Sequence, residues 1–533
     1  MKVKIYGVMV FVLAMMILPI YSIYTVSTGA QYVDAAGKQN VYKLNIAAAR
    51  ETIYDCNFQP LTGSQSKYIA AVVPTIESCA LIDKITEGEK TQMIAAMLES
   101  GKPFKIELTD TTENNLIDIF EIPVRYSDKQ LAPHLIGYLD SEGNGITGIE
   151  LAMNDVLTRN GGELSVYYQV DALGRAIAGA ERKTVNTFTE SDGGVSLTIN
   201  SEIQRFAEEQ AQKLHKGAIV VTEVPNCEVR AIVSVPTYSQ NAIDVATKSE
   251  DSPLINRAFS SFSPGSVFKL VIAAKQIEAD NYKYDYTCTG SITIDGLEFN
   301  CINGAAHGRM NLHTAIQKSC NCYFIDAARR ISPQEILGLA YNFGFGVESE
   351  FGRGLYSQAG NLPTAAELEV PRAFANFAFG QGNLTVTPLQ INVMMNTIAS
   401  GGEYTQPKII AGILSSGMEF YPIESEIIDQ KMRILSEVSV SRLLGYMESA
   451  VSYGTAKSGG SDKFISGAKT GTAQTGVMAG EDELLNFWYS GYVSDNERPR
   501  YVITVLSEGV VDDGGISGEI FREIGDFLAE DYF

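Results

Sequence analysis

The sequence predicts an α+β protein tethered to a membrane by one amino-terminal helix, and three observations carry that expectation. An uncharged stretch over residues 5–33 follows Lys2 and Lys4 at the start of the chain. Two pairs of β-branched runs, over 217–235 and 487–506, stand at either end of a long segment whose apolar spacing is mainly helical. Strands at both ends with helices between them imply an antiparallel sheet covered by a helical insert.

The apolar part of the first stretch, residues 5 to 26, is long enough to cross a bilayer as one helix. Two lysines before it and none until Lys38 favour a cytoplasmic amino terminus, with the rest of the chain outside the cell membrane. The run is longer than the core of a signal peptide and no Ala-x-Ala site follows it, so an uncleaved single-pass anchor over 1–28 is expected. Residues 29–190 mix short apolar segments with Gly, Asp and Asn turns, and 84–100 has the spacing of an amphipathic helix. A composition shift at Ser191-Asp192-Gly193-Gly194 marks a boundary, and 191–533 is read as a second, larger domain. There 195–199 alternates like a strand, 201–213 has helical spacing, and Pro225-Asn226-Cys227-Glu228 joins the first strand pair as a hairpin. The second pair flanks Asp495-Asn496-Glu497-Arg498-Pro499, and Ile520, Phe521, Ile524, Phe527 and Leu528 define a closing amphipathic helix.

At 533 residues the chain exceeds what one hydrophobic core sustains, and 45% hydrophobic with 20% charged residues is ordinary globular material. A net charge of −22 removes the basic surface that nucleic-acid binding needs, so no nucleic-acid partner is expected. Seven cysteines are too few and odd in number for a disulfide framework.

Three short motifs carry chemistry. Ser263-Pro264-Gly265-Ser266-Val267-Phe268-Lys269 reads as a helix start with Ser263 as N-cap and Pro264 at the first helical position. Ser266 then lies among free N–H groups suited to an oxyanion, and Lys269 lies one turn on, where burial would disfavour the ammonium and let the amine accept the serine proton. In Lys318-Ser319-Cys320-Asn321-Cys322, the residues Ser319 and Asn321 cannot share a helix face, so a loop between two helices is expected to bring both inward, Ser319 as a proton relay and Asn321 as a substrate-orienting amide. In Ser466-Gly467-Ala468-Lys469-Thr470-Gly471-Thr472, a small-residue strand, Lys469 supplies charge, Thr470 and Thr472 hydroxyls for a carboxylate, Gly471 close backbone approach, and the Thr472 N–H a second oxyanion donor. Each motif alone is as readily a cap, a polar turn or a glycine-rich loop; their order along one chain is what makes them specific.

Ser-x-x-Lys, Ser-x-Asn and Lys-Thr-Gly in this order resemble the penicillin-binding proteins and serine β-lactamases. Further stretches, among them His134-Leu135-Ile136-Gly137-Tyr138, Gly380-Gln381-Gly382 and Val386-Thr387-Pro388-Leu389-Gln390, are similar to the monofunctional class B penicillin-binding proteins. Glu51 stands where that family usually has glycine. The resemblance implies an elongated, non-catalytic pedestal or dimerisation-like domain over 29–190 and a transpeptidase domain of penicillin-binding, serine β-lactamase-like fold over 191–533. It implies a peptidoglycan D,D-transpeptidase with Ser266, Lys269, Ser319, Asn321 and Lys469 as catalytic residues and Thr470, Gly471 and Thr472 binding substrate. Stem peptides, β-lactam antibiotics and a polytopic glycan polymerase are the partners it implies. A D,D-carboxypeptidase, a β-lactamase-type hydrolase or a β-lactam sensor would share the same motifs.

Two other readings compete. Cys288, Cys301, Cys320 and Cys322, with His307 and His313 nearby, suggest a metal site, but no Cys-x-x-Cys pair is present and buried free thiols or a Cys288 to Cys301 bridge are expected instead. No cofactor and no metal are therefore expected. A Ser-His-Asp hydrolase is disfavoured because no Gly-x-Ser-x-Gly elbow frames Ser266.

Overall fold

The computed structural model describes residues 2–28, 40–109, 111, 114–140, 142–177, 179–187, 193–423 and 432–533. Lys2–Thr28 is one helix despite Pro19, and its 20-residue stretch Tyr6–Thr25 is apolar on every side with none of it buried. A helix of that length spans about 30 Å, the thickness of a bilayer's hydrocarbon core.

The described chain forms two compact units. The first comprises Met1–Arg50, Gly63–Arg125 and Asn160–Glu190. Among its described residues are two three-stranded antiparallel sheets: Glu163–Gln169 between Val41–Ala48 and Lys183–Asn186, and Gln65–Val72 between Phe104–Leu108 and Ile117–Val124. Phe104, Ile106 and Leu108 are buried in strict alternation, and with Ala70, Val72, Ile82 and Ile94 they form a core under two short helices. Of the helix expected over 84–100 only Thr91–Ser100 forms as one piece, residues 84–85 instead ending a separate helix, Ile76–Ile85. Glu87 and Gly88 adopt φ of 50° and 80°, and the Gly88 N–H turns back to the Asp83 carbonyl, which ends the first helix.

The second unit comprises Glu51–Thr62, Tyr126–Arg159 and Ser191–Phe533. Two segments that precede residue 190 thus belong with the larger body, and the boundary expected at Ser191-Asp192 lies outside the described residues. Thr52–Tyr54 makes the connection physical, pairing in parallel with Gly194–Leu197.

The frame of this unit is a five-stranded antiparallel sheet in the order Glu228–Val235, Gly217–Glu223, Pro499–Val510, Asp482–Ser494, Ile465–Ala479. Both expected hairpins are present, and the crossing of Pro499–Val510 onto Gly217–Glu223 joins the ends of the unit. Gly217–Glu223 and the middle of Pro499–Val510 are buried on both faces, which accounts for the β-branched runs in those two strands. Ile219, Val221, Ile503 and Val505 point to Ser201–Ala211 and to the closing helix Ile516–Asp531, which contributes Ile520, Phe521, Ile524 and Leu528. Val502 and Leu506 point the other way, into the helical insert.

Helix Pro388–Ala399 links insert and sheet, and every one of its residues is buried. Thr387 and Gln390 cap it reciprocally, and Pro388 occupies its first turn, which explains the Thr-Pro-Leu-Gln stretch. Its buried Asn392 accepts from Thr222 Oγ1 (2.6 Å) and donates to the carbonyls of Val220 (3.0 Å) and Val502 (3.3 Å). A buried amide so fully engaged leaves several groups unsatisfied when removed. Asn392→Ala is expected to destabilise this sheet by about 3 kcal/mol. Trp488 is the chain's single tryptophan and lies buried in the same sheet, so its fluorescence during thermal unfolding reads the loss directly.

Candidate active site

Ser266 lies in a 3₁₀ turn, Gly265–Phe268, that continues into helix Lys269–Glu278. Ser263 does not cap it, contrary to expectation: the turn carries no side-chain cap, and the Ser263 carbonyl instead accepts from Trp488 Nε1 (3.0 Å). The turn is fixed by its contact with the sheet. Gly265 has φ of 54°, and a Cβ there would lie 2.6 Å from the Thr472 carbonyl oxygen; one on Gly471 would lie 2.8 Å from the Pro264 carbonyl oxygen. Glycine at both positions lets the turn touch edge strand Ile465–Ala479 through the backbone. The Gly265 N–H also donates to the Gly380 carbonyl (2.9 Å), which gives the Gly-Gln-Gly stretch a place at the site.

Helix Leu312–Gln317 ends and Asn321–Ala328 begins around Ser319, as the spacing predicts. Ser319 takes a left-handed backbone, φ 53°, which turns the chain sharply enough for both Ser319 and Asn321 to face Lys269. Lys269 Nζ donates to Asn321 Oδ1 (2.6 Å) and to the Ser319 carbonyl (2.8 Å). From the opposite side Lys469 Nζ donates to Ser319 Oγ (2.9 Å) and to the Thr470 carbonyl (2.7 Å). The Thr470 hydroxyl donates to Thr455 Oγ1 (3.0 Å). Asn321 is itself oriented by a bond from Nδ2 to the Asn300 carbonyl (2.9 Å).

Both lysines are fully buried, and their partners are neutral oxygens. Loss of water lowers Lys269 from its ordinary value to about 8, with nearby thiols opposing the change. Lys469 is pushed well below the ordinary lysine value by burial first and then by the neighbouring Lys269 charge. Ser319 Oγ lies 3.4 Å from the same nitrogen; in a neutral amine the N–H bonds serve Asn321 and the Ser319 carbonyl, and the lone pair is left to take a proton from a hydroxyl. The arrangement suits a serine hydroxyl that loses its proton to an uncharged amine one turn away.

All eight sequence-predicted residues meet here: Ser266, Lys269, Ser319, Asn321, Lys469 and Thr470 through the turn and bonds above, Gly471 and Thr472 through the backbone contact with 264–265. Thr455 was not foreseen, and Gly380 stood out only within the Gly-Gln-Gly stretch, with no role assigned to it. Thr455 follows helix Glu437–Tyr453 and has no sequence signal beyond a Gly-Thr pair, since its partner is distant in the chain.

Residues 217–526 match the family profile described as the penicillin binding protein transpeptidase domain. The chain belongs to that family. It is 25% identical over 495 residues to stage V sporulation protein D of Bacillus subtilis, covering 86% of this chain and 72% of that protein. It is 28% identical to the penicillin-binding protein PbpB of Mycobacterium tuberculosis, covering 72% of this chain and 57% of that protein. It is 25% identical to the peptidoglycan D,D-transpeptidase FtsI of Escherichia coli, covering 75% and 66%. In fold it resembles penicillin-binding protein 3 of M. tuberculosis solved with aztreonam, with TM-score 0.65, 23% identity and 92% of this chain and 97% of that chain covered. The family match, the likeness in fold and the described elements establish the α+β fold that the hairpins and helical insert predict.

The buried lysines cost stability in a pH-dependent way. Each is neutral more readily in the folded than in the unfolded chain, so unfolding takes up protons between the folded value and the ordinary 10.5, and stability rises with pH across that window. For Lys269 the window runs from about 8 to 10.5. Lys269→Met is therefore expected to raise the Trp488 unfolding midpoint at pH 7, with the gain shrinking as pH climbs towards 10.5. Paired melts of both proteins from pH 7 to 10.5 measure it; a gain independent of pH would contradict a depressed Lys269.

Proposed function

We propose that this family member is a peptidoglycan D,D-transpeptidase acting through a Ser266 acyl-enzyme and inhibited by β-lactams. The observation that carries the reading is the set of neutral oxygens around buried Lys269 Nζ, Asn321 Oδ1 at 2.6 Å, the Ser319 carbonyl at 2.8 Å and Ser319 Oγ at 3.4 Å, on the residue one turn after Ser266. Ser266 Oγ attacks the carbonyl of the penultimate D-Ala of a stem peptide while Lys269 takes its proton. The N–H groups of Ser266 and Thr472 stabilise the oxyanion. Ser319 Oγ, bonded to Lys469 at 2.9 Å, relays a proton to the departing amine of the terminal D-Ala. The Thr470 and Thr472 hydroxyls hold the terminal carboxylate, and Asn321 orients the peptide. An amine of a neighbouring stem then attacks the ester, and the released Ser266 recovers its proton. A β-lactam enters by the same first step, ring opening replacing loss of D-Ala. Relatives named as D,D-transpeptidases, and a structural relative solved with aztreonam, support this assignment.

The apolar helix Tyr6–Thr25, long enough to cross a bilayer once, supports a single-pass membrane protein. Lys2 and Lys4 before the helix favour a cytoplasmic amino terminus and a catalytic unit outside the membrane. The first compact unit acts as the pedestal in this reading, and the second, which takes in 51–62 and 126–159 as well as 191–533, carries the transpeptidase domain. A polytopic glycan polymerase is its membrane partner; a structural relative of similar fold, penicillin-binding protein 2 of Helicobacter pylori, was solved in complex with another protein, MreC.

The full-length protein in detergent, given pentapeptide stems and an amine acceptor, is expected to yield cross-linked dimer, and Ser266→Ala to lower both dimer formation and fluorescent penicillin labelling at least about 1000-fold. Equal product from both proteins would remove Ser266 as nucleophile, and hydrolysed stem without dimer would replace transpeptidation by carboxypeptidation. Because Lys269 must be neutral to accept the proton, the labelling rate should rise with pH and level off above about 8.

A further inference from the structure

We propose that Cys288, Cys301, Cys320 and His307 form a four-coordinate site for a thiophilic divalent metal, zinc above all, directly behind the Ser319 loop. Their ligand atoms all lie within 4.8 Å of one another. Cys288 Sγ is 3.7 Å from Cys301 Sγ and 3.5 Å from His307 Nδ1, and Cys301 Sγ is 3.6 Å from Cys320 Sγ. A tetrahedral ion with bonds of ~2.3 Å to sulfur and ~2.0 Å to nitrogen has edges of roughly 3.5–3.8 Å, so these three separations match three of its six edges and the other three, all within 4.8 Å, need only a small inward shift. They are far longer than a disulfide bond of about 2.0 Å. Three thiolates and one imidazole select zinc over magnesium or calcium by donor softness.

Local structure gives a second reason. Residues 286–310 are two small ribbons, Tyr286–Cys288 with Gly308–Met310 and Ser291–Ile294 with Leu297–Asn300, and residues 302–306 between them are exposed. Two-stranded ribbons this short are not stable on their own. Cys288 ends one strand, Cys301 follows another, His307 precedes a third, and Cys320 caps helix Asn321–Ala328, so one ion would staple both ribbons to that helix. The Tyr323 N–H donates to Cys320 Sγ (3.4 Å), the kind of bond that supports a metal thiolate from outside the first sphere. His307 is half-buried beside three buried sulfurs and gives the ion a route from solvent. Cys322 Sγ touches Cys301 Sγ (3.4 Å) but lies outside the mutually close set, and is assigned as a neighbour.

Cys320 stands between Ser319 and Asn321, so the ion would hold the loop that engages both lysines; this consequence, unlike the binding itself, rests on the function proposed above. The test uses the full-length chain in detergent, purified under reducing conditions. Elemental analysis should find one zinc per chain, and cobalt substitution should give sulfur-to-cobalt charge-transfer bands with intense tetrahedral ligand-field absorption. Cys288→Ser and His307→Ala should lose the ion and Cys322→Ser should keep it. Failure of the wild type to take up zinc or cobalt overturns the site, as does unchanged affinity in both ligand variants. Loss of zinc in Cys322→Ser overturns this ligand set. Because the wild-type stoichiometry and spectrum decide alone, a variant that does not fold leaves the test intact. Normal penicillin labelling without metal sinks the site and spares the transpeptidase reading; bound metal without labelling does the reverse.

Discussion

One serine is held between two buried amines. Lys269 binds the Ser319 carbonyl and Lys469 the Ser319 hydroxyl, and both amines are shut away from water. Two ammonium groups in such a space repel each other and lose their hydration, so the site favours neutral amines and supplies neutral oxygens as partners. A carboxylate in the same place would stabilise the ammonium and remove the base. The polar residue types of the three motifs follow from that constraint: hydroxyl, amide and backbone carbonyl all accept a hydrogen bond without fixing a charge.

Holding that geometry falls to backbone contacts more than to side chains. The turn carrying Ser266 and the edge strand carrying Lys469 meet at Gly265 and Gly471, where a methyl group on either would collide with the opposing chain. The edge strand is registered on Asp482–Ser494, with Lys469 opposite Ser490 and Gly471 opposite Trp488. Trp488 in turn donates to the Ser263 carbonyl, so the same pair of strands sets the approach of the turn and its position along the sheet. Glycine costs conformational entropy in a strand, and here that cost is offset by contact distances no other residue allows.

The sheet, its two hairpins and the closing helix were legible because β-branched runs and a 3.6-residue period are local signals. The motif residues were legible for a different reason: few residue types can act as a nucleophile or a neutral base, and they appear in a fixed order. What failed was judged from a short window. Ser263 has the residue type of an N-cap, yet the following turn is 3₁₀ and its carbonyl is claimed by a tryptophan 225 positions away in sequence. The helix over 84–100 had the right period, but Gly88 takes a left-handed conformation that a periodicity count does not weigh. Thr52–Tyr54 belongs with the second unit through a parallel pairing to Gly194–Leu197, a long-range choice that no local pattern announces.

The cysteines show the same limit from the other side. A metal site was set aside because paired Cys-x-x-Cys spacing was missing, but that spacing is a property of one loop supplying two ligands. In the proposed site each donor comes from a different segment, and only the folding of two ribbons against one helix brings Cys288, Cys301, His307 and Cys320 together. Cys320 also explains why the Ser319 loop can hold a left-handed residue at its centre. Its backbone is tied on one side by the N–H bond to the Ala315 carbonyl and its sulfur on the other by the Tyr323 N–H, so the strain at Ser319 is spread over a rigid neighbour. The residue between the two motif positions is therefore the one that sets their direction.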